Sequence, residues 1–98
     1  MICSFRCRET ERLFLGRRSR RLPPEIQQTA FKVLLVLDAA QSLQDLWCIP
    51  GLRLEKLRGE RKGEYSLRVN RQWRVCFHWC TGEAHGGEAH GVEIVDYH

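Results

Sequence analysis

The sequence has no long apolar run, and this absence excludes several classes of protein. Its longest uninterrupted apolar stretch covers residues 33–37, far short of the about 20 residues that a membrane-spanning helix needs. Charge already appears at Arg6 and Arg8, before the apolar segment of a secretory signal peptide could form. We therefore expect no contact with a membrane and a location in the cytoplasm.

The cysteines lack the pattern of a disulfide framework or of a zinc motif. Their number, five, is odd, and no two are separated by two residues, which favours a reducing compartment. Cys76, His78 and Cys80 share one face of a predicted strand. The two thiols would stand roughly 13 Å apart at the usual rise per residue, too far to share one ion. We expect no metal and no cofactor.

The size and composition predict an ordinary globular chain. With 98 residues and a mass of 11.5 kDa it has room for one hydrophobic core, so we expect a single domain over residues 1–98. Apolar residues make up 43% and charged residues 29%, which argues against a disordered or fibrous protein.

The positive charge is clustered. Lysines and arginines number 16 against 12 acids, arginine predominates, and the net charge is +4. One cluster consists of Arg17, Arg18, Arg20 and Arg21. A second consists of Arg53, Lys56, Arg58, Arg61, Lys62, Arg68, Arg71 and Arg74. A solvated basic surface would account for the net charge, whereas the clustering favours a polyanionic partner, most simply a nucleic acid.

The hydrophobic periodicity predicts helices followed by an antiparallel sheet. Residues 2–6 are typical of a short strand, residues 9–15 of a short helix that stops at Gly16, and residues 25–41 of a longer buried helix. After residue 51 the period changes to two, with strands expected from Leu52 and through residues 65–69, 73–80 and 92–97. This is an α+β fold: a short N-terminal strand and two helices packed on a small twisted antiparallel sheet, whose outer face is rich in cations.

A five-residue unit, Gly-Glu-Ala-His-Gly, occurs twice in tandem at residues 82–86 and 87–91. Its glycines and its lack of large apolar residues predict a tolerated extension of a hairpin loop. We expect no functional role for its histidines, His85 and His90.

Three segments hold side chains suited to chemistry: residues 57–63, residues 69–75 and the terminal residues 96–98. Each has an ordinary explanation, as a basic turn, as a hairpin with a solvated arginine and as a frayed end. Their combination is more specific than any one of them.

Together these segments resemble the HigB (killer) toxins, which are RelE-type toxins of bacterial toxin–antitoxin pairs within the RelE/ParE superfamily. The resemblance spans nearly the whole chain. It is carried by Met1-Ile-x-Ser-Phe-Arg, Leu52-x-Leu-x-x-Leu-x-Gly-x-Arg-x-Gly63, Tyr65-Ser-Leu-Arg-Val-Asn, Gln72-Trp-Arg-Val-Cys-Phe and Val92-Glu-Ile-Val-Asp-Tyr-His98. It implies a RelE-like fold and a ribosome-dependent endoribonuclease that cleaves translated mRNA. It also implies neutralisation by a helix-turn-helix, HigA-like antitoxin, with contact to DNA only through that antitoxin.

The resemblance implies a set of catalytic residues that could cleave RNA without a metal ion. Such cleavage uses the ribose 2′-OH as nucleophile and needs a base, an acid and cations for the charge that builds on the phosphate. Arg74 is expected to stabilise that charge, Arg58 to hold the same phosphate, and Tyr97 to stack on a base or orient the phosphate. Asp96 and His98 supply the base and the acid, in either order.

The surrounding cations are expected to bind RNA: Arg17, Arg18, Arg20, Arg21, Lys56, Arg61, Lys62 and Arg68. Glu55 stands where some members of the family carry a histidine. It either takes a proton itself or is an ion-paired surface acid. Two other functions stay open: a basic module that binds RNA or the ribosome without cutting, and a corepressor that acts only through the antitoxin.

Overall fold

A computed structural model of the protein describes residues 1–82 and 86–97, and in these residues three α-helices cover one face of a four-stranded antiparallel sheet. The helices are α1 (Arg8–Phe14), α2 (Pro24–Ala39) and α3 (Leu43–Trp47). The strands are β1 (Glu55–Lys56), β2 (Glu64–Arg68), β3 (Trp73–Gly82) and β4 (Gly86–Asp96), in the spatial order β1-β2-β3-β4. The predicted α+β class is confirmed.

Helix α2 supplies the helical half of the core. Pro24 opens it, where the missing N–H of proline leaves no hydrogen bond unmade. Its inward positions are buried at helical spacing: Ile26, Ala30, Val33, Leu34 and Leu37. The predicted long helix is confirmed, although it ends at Ala39, because Ala40 is already extended. Within the described part of the chain, no helix is long and apolar enough to cross a membrane.

The sheet supplies the other half of the hydrophobic core, because its strands alternate buried and outward-facing side chains. Leu67 of β2 lies opposite Val75 of β3, which lies opposite Ile94 of β4, and all three are buried against the helices. Phe77 adds the largest fully buried side chain. Each such side chain contributes about 1.5–3 kcal/mol when it leaves water, so this layer fixes which face of each strand points outward.

The segment between α2 and the sheet differs from its prediction. A third helix, α3, begins at a capping box in which Ser42 and Asp45 each accept a hydrogen bond from the other's backbone N–H. The prediction of a strand that begins at Leu52 is wrong, because Pro50–Leu52 form a single 3₁₀ turn. Arg53 then turns the chain with a left-handed φ of 44°, and β1 starts only at Glu55.

The N-terminal segment lies parallel to the outer edge of β4. The expected strand over residues 2–6 is reduced to two bridges, Ile2 with Ala89 and Phe5 with Val92. The Cys3 N–H donates to the Ala89 carbonyl at 2.8 Å, and the Ala89 N–H donates to the Met1 carbonyl at 2.8 Å. These bonds satisfy backbone groups that the edge of β4 would otherwise expose.

The prediction that the tandem repeat extends a loop is wrong for its second copy. Its second copy, residues 87–91, is an integral part of β4, with Ala89 fully buried. Of the first copy, Gly82 ends β3, while residues 83–85 lie outside the described residues. The repeat has glycine where tertiary contact demands it: a Cβ on Gly87 would lie 1.9 Å from Cζ2 of the Trp79 indole.

A β-bulge separates the repeat from the rest of β4. Cys76 pairs with Glu93, but His78 pairs with His90, so β4 has one residue more than β3 between these two pairs. Gly91 lies in this interval with a φ of 60°, a conformation that glycine adopts without steric penalty. The bulge keeps the apolar side chains on the core face on both sides of it.

Replacement of Gly87 by alanine should destabilise the protein by about 1–3 kcal/mol, because the new methyl group displaces the Trp79 ring from its place over the strand. Denaturant unfolding measures the change. The matched control is Gly51→Ala, since a Cβ at Gly51 meets nothing within 4 Å. Equal stability of the two variants would contradict the close packing of Trp79 on Gly87.

Candidate active site

Arg74 is the centre of the candidate site. It lies on β3, which is held between β2 and β4, and its side chain is only 15% exposed. Its Nη1 donates to Ser66 Oγ at 2.9 Å, and its Nη2 forms an ion pair with Glu55 Oε1 at 3.2 Å. Side chains from β2 and β1 thus fix the plane of the guanidinium group, as recognition of a phosphate requires.

Tyr97 covers the same guanidinium from another side. The Cζ of Arg74 lies 5.4 Å from the centre of the Tyr97 ring, which is cation–π distance. The Tyr97 N–H donates to the Gln72 carbonyl, and this bond fixes the chain just after β4. Tyr97 remains 38% exposed, so its ring also offers an open face to solvent.

Asp96 stands beside this cluster at the end of β4. It is paired with Trp73 in the sheet and accepts a hydrogen bond from Gln72 Nε2 at 2.9 Å. Gln72 therefore holds both Asp96, through its side chain, and Tyr97, through its carbonyl. His98, the remaining expected catalytic residue, lies outside the described residues.

Arg58 occupies a separate basic corner. It directly precedes the 3₁₀ turn Gly59–Arg61 and is exposed. A concavity of about 380 Å³ lies there, lined by Lys56, Leu57, Arg58, Gly59 and Lys62. Three cations around one hollow make a site where an anion of a phosphate's size would be attracted.

The next part of the outer face is not simply cationic, as the alternating pattern had suggested. Glu64 and Glu93 point outward but are largely buried, with side chains 5% and 16% exposed. Arg61 Nη1 contacts both carboxylates, at 3.2 Å and 3.0 Å, and Arg6 lies 3.4 Å from Glu93. We call these four residues the ion cluster. It compensates the charge of Arg61 within the protein.

Comparison with known proteins identifies the family. A sequence model matches residues 3–98, and its family is described as the RelE-like toxin of the type II toxin–antitoxin system HigB. Toxin HigB-1 of Vibrio cholerae serotype O1 (strain ATCC 39315 / El Tor Inaba N16961) is 46% identical over 68 residues, which are 69% of this chain and 72% of that protein. The chain belongs to the HigB-like toxins. It is therefore a toxin of a type II toxin–antitoxin system, and such a toxin has an antitoxin as its partner.

In this HigB-like toxin the remaining expected RNA-binding residues fall into two places. Arg68 lies directly opposite Arg74 in the sheet and is half-buried. The other four, Arg17, Arg18, Arg20 and Arg21, are exposed in the connection between α1 and α2.

That connection is held from inside by a buried pair of polar residues. The Ser19 N–H donates to Gln27 Oε1 at 3.1 Å, and Gln27 Nε2 donates back to the Ser19 carbonyl at 2.9 Å. The Ser19 hydroxyl also donates to Glu9 at 2.7 Å, and this hydrogen bond lowers the pKa of Glu9. The connection that carries Arg17, Arg18, Arg20 and Arg21, here called the arginine loop, is therefore anchored to α2 through Ser19 and Gln27.

A second groove adjoins Arg74 on the side of Glu55. It has a volume of about 300 Å³ and is lined by Trp47, Ile49, Pro50, Arg53, Leu54 and Glu55. The Trp47 residue is 67% exposed at the end of α3, and sequence reasoning missed it because α3 was not predicted. Ser66 was missed as well, since a serine inside a strand gives no signal until the register with Arg74 is known.

Nucleophilic chemistry by the sheet's buried thiol is excluded. Cys76 is fully buried, and burial raises the pKa of its thiol to about 11. Since only the thiolate is an effective nucleophile, Cys76 stays protonated and unreactive at neutral pH.

Replacement of Arg61 by alanine should lower the free energy of unfolding by about 2 kcal/mol, because Glu64 and Glu93 lose their nearest shared cation and keep only Arg6, which lies farther from both. Lys62→Ala, at the exposed neighbouring position, is the control and should change stability by less than about 0.5 kcal/mol. Urea unfolding compares the two. If Arg61→Ala were as stable as the control, the ion cluster would not support the sheet.

Proposed function

We propose that this toxin is a ribosome-dependent endoribonuclease that cleaves translated mRNA by attack of a ribose 2′-OH on the adjacent phosphate. The observation that carries the proposal is the fixed guanidinium of Arg74, held by Ser66 and Glu55 and covered by Tyr97. A rigid, largely desolvated cation is what a phosphate needs as negative charge builds on it in the transition state.

The proposed roles follow from these positions. Arg74 stabilises the charge on the phosphate, and Arg58 holds the same phosphate or its neighbour from the basic corner. Tyr97 offers its open face for stacking on an unpaired base, as is common in recognition of single-stranded RNA. Asp96 and His98 provide the base for the 2′-OH and the acid for the 5′ oxygen, in either order.

We assign Glu55 a positioning role. Its carboxylate is paired with Arg74 at 3.2 Å and its side chain is 52% exposed. In this place it orients the guanidinium and can be displaced as the phosphate arrives, because both are anions that compete for the same donors.

The site is an open surface, which supports dependence on the ribosome. The concavities beside Arg74 and Arg58 are shallow grooves rather than a closed cleft. A ribosome that presents the mRNA in one geometry would supply the orientation that this surface does not supply alone. We accordingly place the toxin in the cytoplasm, with the ribosome and mRNA as partners.

The basic periphery would bind ribosomal RNA or the mRNA backbone. The residues proposed for this are Lys56, Lys62, Arg68 and the arginine loop of Arg17, Arg18, Arg20 and Arg21. Arg61, expected to join them, is assigned instead to the ion cluster, because Glu64 and Glu93 already compensate its charge. The antitoxin is proposed to be a helix-turn-helix, HigA-like protein through which the toxin reaches DNA.

Arg74→Lys should reduce cleavage by at least about 100-fold, because lysine keeps the charge but cannot reproduce the planar, two-sided donor geometry. The measurement is primer extension of new 5′ ends on a defined mRNA carried by programmed ribosomes. Arg8→Lys, an exposed arginine on α1, is the matched control and should cut like the unmodified toxin.

Cuts that appear with ribosomes and vanish with Arg74→Lys would support the proposal. Undiminished cutting by a folded Arg74→Lys protein would remove Arg74 from the mechanism. A folded, ribosome-binding toxin that leaves every mRNA intact would favour a non-catalytic binding module.

Glu55→Gln should reduce cleavage by no more than about tenfold and leave its pH profile unchanged, since the amide oxygen still accepts a hydrogen bond from Arg74. The measurement is the single-turnover rate of cleavage between pH 5 and pH 9. A loss of about 100-fold, together with loss of the rise in rate at acidic pH, would instead make Glu55 the general base.

A further inference from the structure

Three side chains of metal-ligand type meet at the end of the sheet opposite to Arg74. The thiol of Cys3, the carboxylate of Glu88 and the imidazole of His90 each place a ligand atom within 4.8 Å of the other two. We predicted no metal from the sequence and did not consider this group, since Cys3 is more than eighty positions from the other two residues.

The fold brings them together through two backbone features. On β4, Glu88 and His90 alternate with Gly87 and Ala89, which are buried, so both project to the outer face. The N-terminal segment lies parallel to the edge of β4, and the Cys3 N–H donates to the Ala89 carbonyl. The thiol of Cys3 consequently lies next to the two side chains that flank Ala89.

Two separations between the ligand atoms are close to those in the coordination shell of a small divalent ion. Cys3 Sγ lies 3.2 Å from Glu88 Oε2, and His90 Nε2 lies 3.6 Å from Glu88 Oε1. Tetrahedral zinc, with bonds of about 2.0–2.3 Å, separates neighbouring ligand atoms by about 3.5 Å. Since all three ligand atoms lie within 4.8 Å of one another, side-chain rotations alone would bring them to one ion.

We propose that Cys3, Glu88 and His90 bind one divalent ion of the zinc class. Thiolate, imidazole and carboxylate together suit zinc rather than magnesium or calcium, which take oxygen ligands. On binding, the Cys3 thiol releases its proton to solvent and the sulfur forms the bond to the metal. The fourth position is left for a water molecule, in a site open to solvent on the side of Cys3.

The strands around the group add a further sulfur donor and a fixed scaffold. Cys80 lies directly opposite Glu88 on β3, so a second sulfur donor shares this face of the sheet. Both Glu88 and His90 belong to the second copy of the tandem repeat. The close packing of Trp79 on Gly87 fixes the strand from which they project.

The site is remote from the proposed chemistry. Glu88 and Asp96 are eight residues apart on β4, or roughly 26 Å at the usual rise per residue. An ion at Cys3 would cross-link the N-terminal segment to β4, so it would stabilise the fold without touching RNA. The proposal therefore does not depend on the proposed cleavage activity.

The test uses the reduced full-length toxin and two metal probes. Co²⁺ should bind at one equivalent with the intense absorption of a thiolate ligand in tetrahedral geometry, and Zn²⁺ should displace it. Zn²⁺ in excess should also raise the melting temperature by several degrees, because it binds the folded state. Cys3→Ser and His90→Gln should each weaken binding by at least about tenfold and remove the thermal shift.

Cys48→Ser is the matched control, since Cys48 is also exposed but lies at the end of α3. It should bind Co²⁺ like the unmodified toxin. The proposal is overturned if Cys3→Ser or His90→Gln binds the metal unchanged, or if Cys48→Ser removes the signal. It is likewise overturned if no thiolate absorption appears in a folded, reduced protein.

Discussion

The antiparallel pairing of β4 with β3 is the interaction on which both ends of the molecule depend. At one end it places Asp96 beside Trp73 and brings Tyr97 over Arg74. At the other it holds the outward side chains of the tandem repeat next to the N-terminal segment. Because α2 buries the opposite face of the same strands, any slip of one residue would turn core side chains to solvent, and the register is strongly specified.

The outer face of this sheet is divided by charge. In the middle, Glu64 and Glu93 are nearly buried and share Arg61, so their desolvation is offset by ion pairs and hydrogen bonds within the protein. Toward the Arg74 end, Arg68 on β2 and Arg74 on β3 lie opposite each other, and Glu55 on the edge strand β1 pairs with Arg74. If the toxin acts as proposed, an RNA phosphate would be attracted to one end of the sheet and not to its centre, so that a modest net charge can still give a localised site.

Hydrophobic periodicity was sufficient to predict the large helices and strands. It was insufficient for segments whose conformation depends on tertiary contacts. The apolar spacing of α2 and the alternation in β2 and β3 identify their buried faces without a structure. Helix α3 is too short to show a period, although the Ser42–Asp45 spacing is a recognisable start signal. The repeat was misinterpreted because its glycines look like a loop, whereas Trp79 requires one of them inside a strand.

The candidate site shows the same limit. Family resemblance singled out Arg74 and Tyr97, which the structure places in contact. The partners of Arg74 depend on strand register, which the alternating pattern alone does not give. The proximity of Cys3 to His90 depends on a parallel pairing between the N-terminal segment and β4, which no local sequence pattern predicts.

The bulge near Gly91 also makes the register of the β3–β4 hairpin differ on its two sides. Five residues cannot be shared equally between two paired strands, so an insertion of that length leaves an odd residue to be accommodated in the turn or in the ladder. The extra residue of β4 between Glu93 and His90 takes up one such offset before the register reaches Asp96. A change in strand length on the His90 side of the bulge can thus leave Asp96 and Tyr97 in their positions.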